Sequence, residues 1–245
     1  MSRLLLTYIF TLLICVELSA QNRTEDFEIT LPEQKVQGSL YKTINFLDSR
    51  YDTTYMGIVQ LGAFNKKAKV VSGIPFSSQL KTVINSIIDA DAGNGELLFQ
   101  LRQFNFAEIT GAMSEKGYCY LKAELYSKSG SQYQNIASID TVILVKSMDV
   151  TRALFRNGSK TITKFIGDNL LKEAPGLNYY SFNNIVNIDS IEKRNIILYN
   201  TAKYSEGLYD TYASFKKQAP DAEVKVEMKG EKISSVKAPD KNGKG

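Results

Sequence analysis

Gly117-Tyr118-Cys119-Tyr120-Leu121-Lys122-Ala123-Glu124-Leu125-Tyr126-Ser127 alternates without a break. Cys119, Leu121, Ala123 and Leu125 fall on one side of an extended chain; Tyr118, Tyr120, Lys122, Glu124 and Tyr126 fall on the other. That period of two is the pattern of a strand with one face in a core. Residues 96–106 and 131–146, on either side, are also apolar-rich and are set off by turn formers, so the whole stretch reads as a three-strand β-meander. Pairing Leu121 with Ala137 and Cys119 with Ile139, across a turn at residues 127–131, keeps the apolar sides together. The first run changes phase between Leu97, Phe99, Leu101 and Phe104, Phe106, which a bulge near Arg102 reconciles. In the third run Ile143 and Val145 oppose Val142 and Leu144, a two-sided apolar pattern that predicts a central strand.

Working outward, residues 40–47 and 57–61 read as strands, forming either a hairpin or two strands joined by a loop. Residues 75–90 read as a helix, because Leu80, Val83, Ile84, Ile87 and Ile88 make one stripe, and Ser77 or Ser78 is placed to cap it. A second helix starts at Asp149-Val150-Thr151 and ends before Pro175-Gly176, with a weak point at Asn157-Gly158. Beyond it the composition shifts toward asparagine, tyrosine and lysine. There residues 196–199 read as a strand, residues 211–217 as a short helix, and residues 224–228 with 233–236 as a hairpin before a frayed tail. The expected class is α+β: an antiparallel sheet with a three-strand meander, packed by two helices, plus a small C-terminal α+β appendage.

The N-terminus carries Arg3, then an apolar run from Leu4 to Val16, then Ser19-Ala20, which is the pattern of a secretory signal over residues 1–20. The run is too short to span a bilayer, and no later segment qualifies. Ile14 is too bulky for the position before a lipid-carrying cysteine, so Cys15 is not read as an anchor; peripheral membrane contact stays open. The expected organisation is then a polar segment at 21–39 with a short strand at 27–31, a sheet domain at 40–175 and the C-terminal segment at 176–245.

The net charge of +4 is small and the lysines are interspersed with acids, which argues against nucleic acid as a partner. With no histidine, a Ser-His-Asp or Cys-His pair is excluded. Of two cysteines one lies in the signal, so Cys119 has no intramolecular disulfide partner, and its place on the apolar side makes it an inert core thiol. No cofactor or metal signature emerges: the acids around Gly93 and Gly95 lack the spacing of a calcium loop and read as a turn. Arg152, Arg156, Lys160 and Lys164 form a ridge with a four-residue spacing, read as a solvated helix face. Two candidate binding features remain. One is the aromatic side of the sheet, Tyr118, Tyr120, Tyr126, Phe104 and Phe106; the other is the loop with Asp48, Arg50 and Asp52, in which Arg50 bridges the acids.

Gly207-Leu208-Tyr209, Phe215 and Pro220, preceded by the run from Ile191 to Tyr199, resemble a Gly-x-Tyr…Phe…Pro pattern of uncharacterised exported proteins of Bacteroidetes. The order strand, Asp-Ser-Arg loop, strand, helix, meander and helix over residues 40–172 is similar in layout to small periplasmic auxiliary lipoproteins of envelope lipid transport. The resemblance implies an exported envelope protein with a protein partner and supplies no catalytic residue. The expected function is a non-enzymatic accessory or interaction module, periplasmic or outer-membrane associated. The alternatives are a module that binds a small molecule or glycan, and a carboxylate-dependent hydrolase using Asp140, for which no second acid is at hand.

Overall fold

The computed structural model describes residues 23–62, 64–111, 115–147 and 150–237. The expected signal at 1–20, with Cys15, lies outside the described residues. The chain divides into two units, one ending at Ser181 and one beginning at Phe182.

The first unit runs β1 (Thr24–Asp26), β2 (Tyr41–Asp48), β3 (Gly57–Leu61), β4 (Lys66–Val71), α1 (Phe76–Ile87), β5 (Gly95–Thr110), β6 (Glu115–Ser129), β7 (Gln132–Ser147), α2 (Val150–Gly167) and β8 (Tyr179–Ser181). The strands form one mixed, eight-stranded sheet. This corrects the expected antiparallel meander packed by two helices: β2 and β3 both run parallel to β5, and β1 runs parallel to β4. The cause is the length of β5, which at 16 residues spans about 50 Å. Its edge opposite β6 takes two short strands in succession, β2 along Gly95–Leu101 and β3 at Phe106–Ala107. Strands 2 and 3 are therefore not a hairpin with each other. The loop joining them bridges the changeover, where Ser49 N donates to Leu101 O and Phe106 N donates to Met56 O, both at 2.8 Å. Gly57 must sit immediately after Met56, since its φ is +99° and a Cβ there would collide with Phe106 O.

At that changeover β5 carries its bulge, between Leu101 and Gln103 opposite β6. The extra residue reverses the phase of the rest of the strand, so Leu97, Phe99, Leu101, Phe104 and Phe106 all enter the core. The β6–β7 register differs from the expected one by four residues, with Leu121 opposite Thr141 and Cys119 opposite Ile143. The turn is tighter than expected: β6 continues to Ser129, which faces Gln132, and Gly130 turns the chain at φ +59°. An even shift leaves each side chain on its face.

The core joins α1, α2 and the sheet through a phenylalanine cluster, with Phe27 5.0 Å from Phe104, Phe104 4.8 Å from Phe106, and Phe106 4.9 Å from Phe155. Phe27 and Ile29 do not form a strand. They lie in a crossing segment tied by Ile29 N to Gln79 Oε1 and Thr30 N to Ser159 Oγ, both at 2.6 Å. α1 buries Leu80, Val83, Ile84 and Ile87 as the stripe predicts, but Pro75 stands at its N-cap without a side-chain cap, and both serines fall inside the helix. α2 passes unbroken through Asn157-Gly158, with Gly158 facing Cys119 and Phe106.

In the second unit, α3 (Phe182–Val186), α4 (Ile188–Arg194), α5 (Ile197–Asn200) and α6 (Tyr212–Lys216) precede a hairpin of β9 (Lys225–Lys229) and β10 (Lys232–Lys237). The expected strand at 196–199 is a helical turn. Thr211 and Ser214 close a capping box on α6. The Gly-x-Tyr…Phe…Pro residues meet: Pro220 occupies the space a Cβ on Gly207 would need, and the Tyr209 ring meets Phe215 edge-on at 5.1 Å.

Candidate interaction surface

Strand alternation puts Tyr118, Tyr120, Lys122, Glu124 and Tyr126 on the sheet face opposite the phenylalanine cluster, as the pattern predicts. The predicted five-residue aromatic surface nevertheless breaks up. Phe104 and Phe106 are core residues because of the bulge, and Tyr126 is buried against Tyr180, with its hydroxyl donating to Gln100 Oε1 at 3.2 Å. Tyr118 and Tyr120 remain half-buried on the face. Their cross-strand partners on β7 are Leu144 and Val142, which are 52% and 58% exposed. On the other side Tyr118 faces Ala107, which in turn pairs with Ile58, also exposed. Together these residues make an apolar patch of the kind that a folded chain ordinarily covers. β7 does lie between β6 and β8, though β8 reaches only Gln132–Gln134, and the burial on both faces from which a central strand is expected fails, because Val142 and Leu144 are open to solvent.

Along the same face the patch gives way to polar pairs. Lys122 Nζ lies 3.8 Å from the Asp140 carboxylate. Next comes a more buried group, in which Arg102 Nη1 stands 3.5 Å from Glu124 Oε1, Asn135 donates to Glu124 Oε2 at 2.7 Å, and Ser138 Oγ donates to the same oxygen. The carboxylate of Glu124 is thus consumed by three structural contacts. Asp140, the acid considered for hydrolysis, is exposed and paired with a lysine on an open strand, without a second acid facing it across the sheet.

The Asp48–Asp52 loop is held by its own residues. Arg50 makes a bidentate contact with Asp48, Nε to Oδ1 at 2.9 Å and Nη2 to Oδ2 at 2.7 Å, and also reaches the carbonyls of Thr53 and Tyr55. Asp52 turns away from Arg50 to accept from Thr54 N and Oγ1, and those bonds hold its carboxyl below the usual range. With its guanidinium spent on the chain that crosses the β2-to-β3 changeover, the loop is a brace.

Cys119 is buried, and desolvation pushes its thiol up to about 12. Among the described residues no group of three or more acids and cysteines is placed to hold a metal ion, and no helix is long and apolar enough to cross a membrane. Sequence reasoning missed a groove of about 430 Å³ between β7 and α2, lined by Ile139, Ile143 and Phe165 and bordered by Lys160 and by the Lys164–Asp168 ion pair. Its signal was the basic ridge of α2 lying beside half-buried isoleucines of β7, and it becomes legible only once β7 is known to sit by the helix.

No family model matches the chain, and none of the curated proteins matches it. Among solved structures the chain is similar to the crystal structure of a Xanthomonas campestris protein of the DUF330 family, with 14% identity, a TM-score of 0.37 and an alignment covering 60% of this chain and 95% of that one.

Proposed function

We propose that this chain is an exported, non-catalytic accessory protein of the cell envelope that engages a partner protein through the sheet face at Tyr118, Tyr120, Val142 and Leu144. The observation that carries this reading is the exposure of Val142 and Leu144 on a regularly paired strand, directly across from two tyrosines. Large rings with polar tips, flanked by aliphatic side chains and bordered by charges such as Lys122 and Asp140, have the composition of an interface core and its rim. Export is supported by the residue 1–20 pattern and predicts a mature protein whose intact mass lacks that segment. A glycan-binding reading is less well supported, because stacking needs rings around a concavity, and the groove beside β7 is lined by no tyrosine.

The test is site-specific photo-cross-linking in the native envelope. A photoreactive residue replaces Val142, and in a control it replaces Lys81 on the exposed side of α1. The expected outcome is one dominant adduct from the Val142 position alone, diminished by Tyr118→Ser with Tyr120→Ser in a variant that retains its fold. Equal labelling from both positions, or labelling from neither, sinks the reading.

A further inference from the structure

β7 bonds to β6 over its whole length, but on its other side it pairs, among the described residues, only with β8 at Gln132, Tyr133 and Gln134. From Asn135 to Lys146 no described strand lies beside it on that side. That is an open edge of about 40 Å. The backbone N–H and C=O groups along such an edge are a template for another strand, and long edges are ordinarily blunted by proline, lysine or bulges that twist them away. A bulge opposite β6 lies at Ile136 and a lysine, Lys146, at the far end, but from Ala137 to Val145 this edge holds no proline, lysine or bulge, and its one charged residue there, Asp140, is engaged with Lys122 on β6. Its groove-facing residues Ile139 and Ile143 are half-buried, the state of side chains that border an unfilled space. That space is the groove against α2, whose far rim carries Lys160 and, one turn on, Lys164 paired with Asp168 at 2.7 Å, so that Lys160 is the rim's excess positive charge.

We propose that the β7 edge and this groove receive an extended segment of a partner protein as an added strand, with apolar side chains against Ile139, Ile143 and Phe165 and a carboxylate against Lys160, beside the Lys164–Asp168 pair. The main chain supplies hydrogen bonds and the groove selects alternate side chains. Charge argues against a second copy of this chain in the same place. Pairing β7 with itself about a two-fold axis brings both α2 helices to one side of the joint, and each carries Arg152, Arg156, Lys160 and Lys164. An acidic, apolar strand has the complementary charge. The proposal rests on the reading of the protein as an interaction module and names a second contact and the chemistry of its occupant.

The experiment measures fluorescence anisotropy of a labelled peptide of alternating valine and glutamate with the purified protein. Either face of that peptide can meet the groove by a one-residue slip. Binding is expected, weakened about tenfold when lysine replaces glutamate in the peptide or when Lys160→Glu and Lys164→Glu are combined in the protein. It is expected to persist in Lys81→Glu and to be lost when every peptide amide is N-methylated. Failure of the valine–glutamate peptide to bind, or undiminished binding of its N-methylated form, overturns the proposal. So does a sedimentation dimer that the peptide does not dissociate. The two readings fail separately: peptide binding without a Val142 cross-link keeps the edge and removes the face, and a Val142 cross-link without peptide binding does the reverse.

Discussion

Cys119 and Glu124 sit five residues apart on opposite faces of β6, and each is explained by what its side chain touches. The thiol lies under Gly158 and Phe106, so the protein holds it neutral to about pH 12, whereas in the unfolded chain it ionises in the ordinary thiol range. The stability this contributes is full below the ordinary range and is lost as pH rises toward 12. Tyr41, Tyr120 and Tyr126 are raised too, each first by burial, and act in the same direction. The urea midpoint should therefore fall steeply from pH 8 to 11, less steeply in Cys119→Ala. Native protein at pH 8 should resist iodoacetamide that alkylates it at once when unfolded; rapid native labelling would contradict the packing. On the other face, Glu124→Ala takes a carboxylate from the buried Arg102 and the shared acceptor from Ser138 and Asn135, a loss of about 3 kcal/mol. Asp140→Ala removes an exposed pair and should cost less than about 1 kcal/mol. Urea unfolding of the two variants would expose a wrong assignment if their order reversed.

Elements show what the pattern of residues 96–146 could and could not convey. Alternation put Tyr118 through Tyr126 on their correct face, since period two is a property of the chain itself. The bulge is legible as a phase change, and an inserted residue turns Phe104 and Phe106 inward, so they cannot share a surface with Tyr118. The apolar pairs at 142–145 suggested a strand covered on both faces. Two-sided apolarity equally marks a strand that awaits a partner, and nothing local separates the two. Parallel pairing was invisible because it depends on a long edge of β5 shared by strands some 50 residues away in sequence. Gly57 is where that arrangement is most exposed to test. Gly57→Ala puts a Cβ into Phe106 O at a positive φ and should cost about 3 kcal/mol. Gly130→Ala, at φ +59° in open space, should cost about 1 kcal/mol. If the two substitutions weakened the protein equally, β3 would not be docked on β5 as described.

At the scale of the whole molecule, the buried apolar residues are divided unequally between the two units. The cluster that joins Phe27, Phe104, Phe106, Leu80, Leu154 and Ile166 belongs entirely to the unit ending at Ser181. In the other unit Ile185 and Ile188 are buried, while Ile197, Tyr204, Tyr212, Met228, Ile233 and Val236 all stay exposed. Its order comes from local devices: the capping box on α6, the Gly207–Pro220 and Tyr209–Phe215 contacts, and a hairpin whose Lys237 pairs with Glu227. Short helices and a two-stranded hairpin are marginal in water without a packed face, and segments with few buried apolar contacts open at free energies well below global unfolding. Hydrogen exchange read by mass spectrometry should therefore grade along the chain. Peptides from β5 and β6 should exchange only through global opening, and their rates should follow the urea-derived stability. Peptides from 182–237 should exchange orders of magnitude faster, with the β9–β10 hairpin first. Uniform protection across Ser181 would show that the C-terminal unit folds and opens together with the sheet, and that burial within one cluster is a poor guide to cooperativity in this protein.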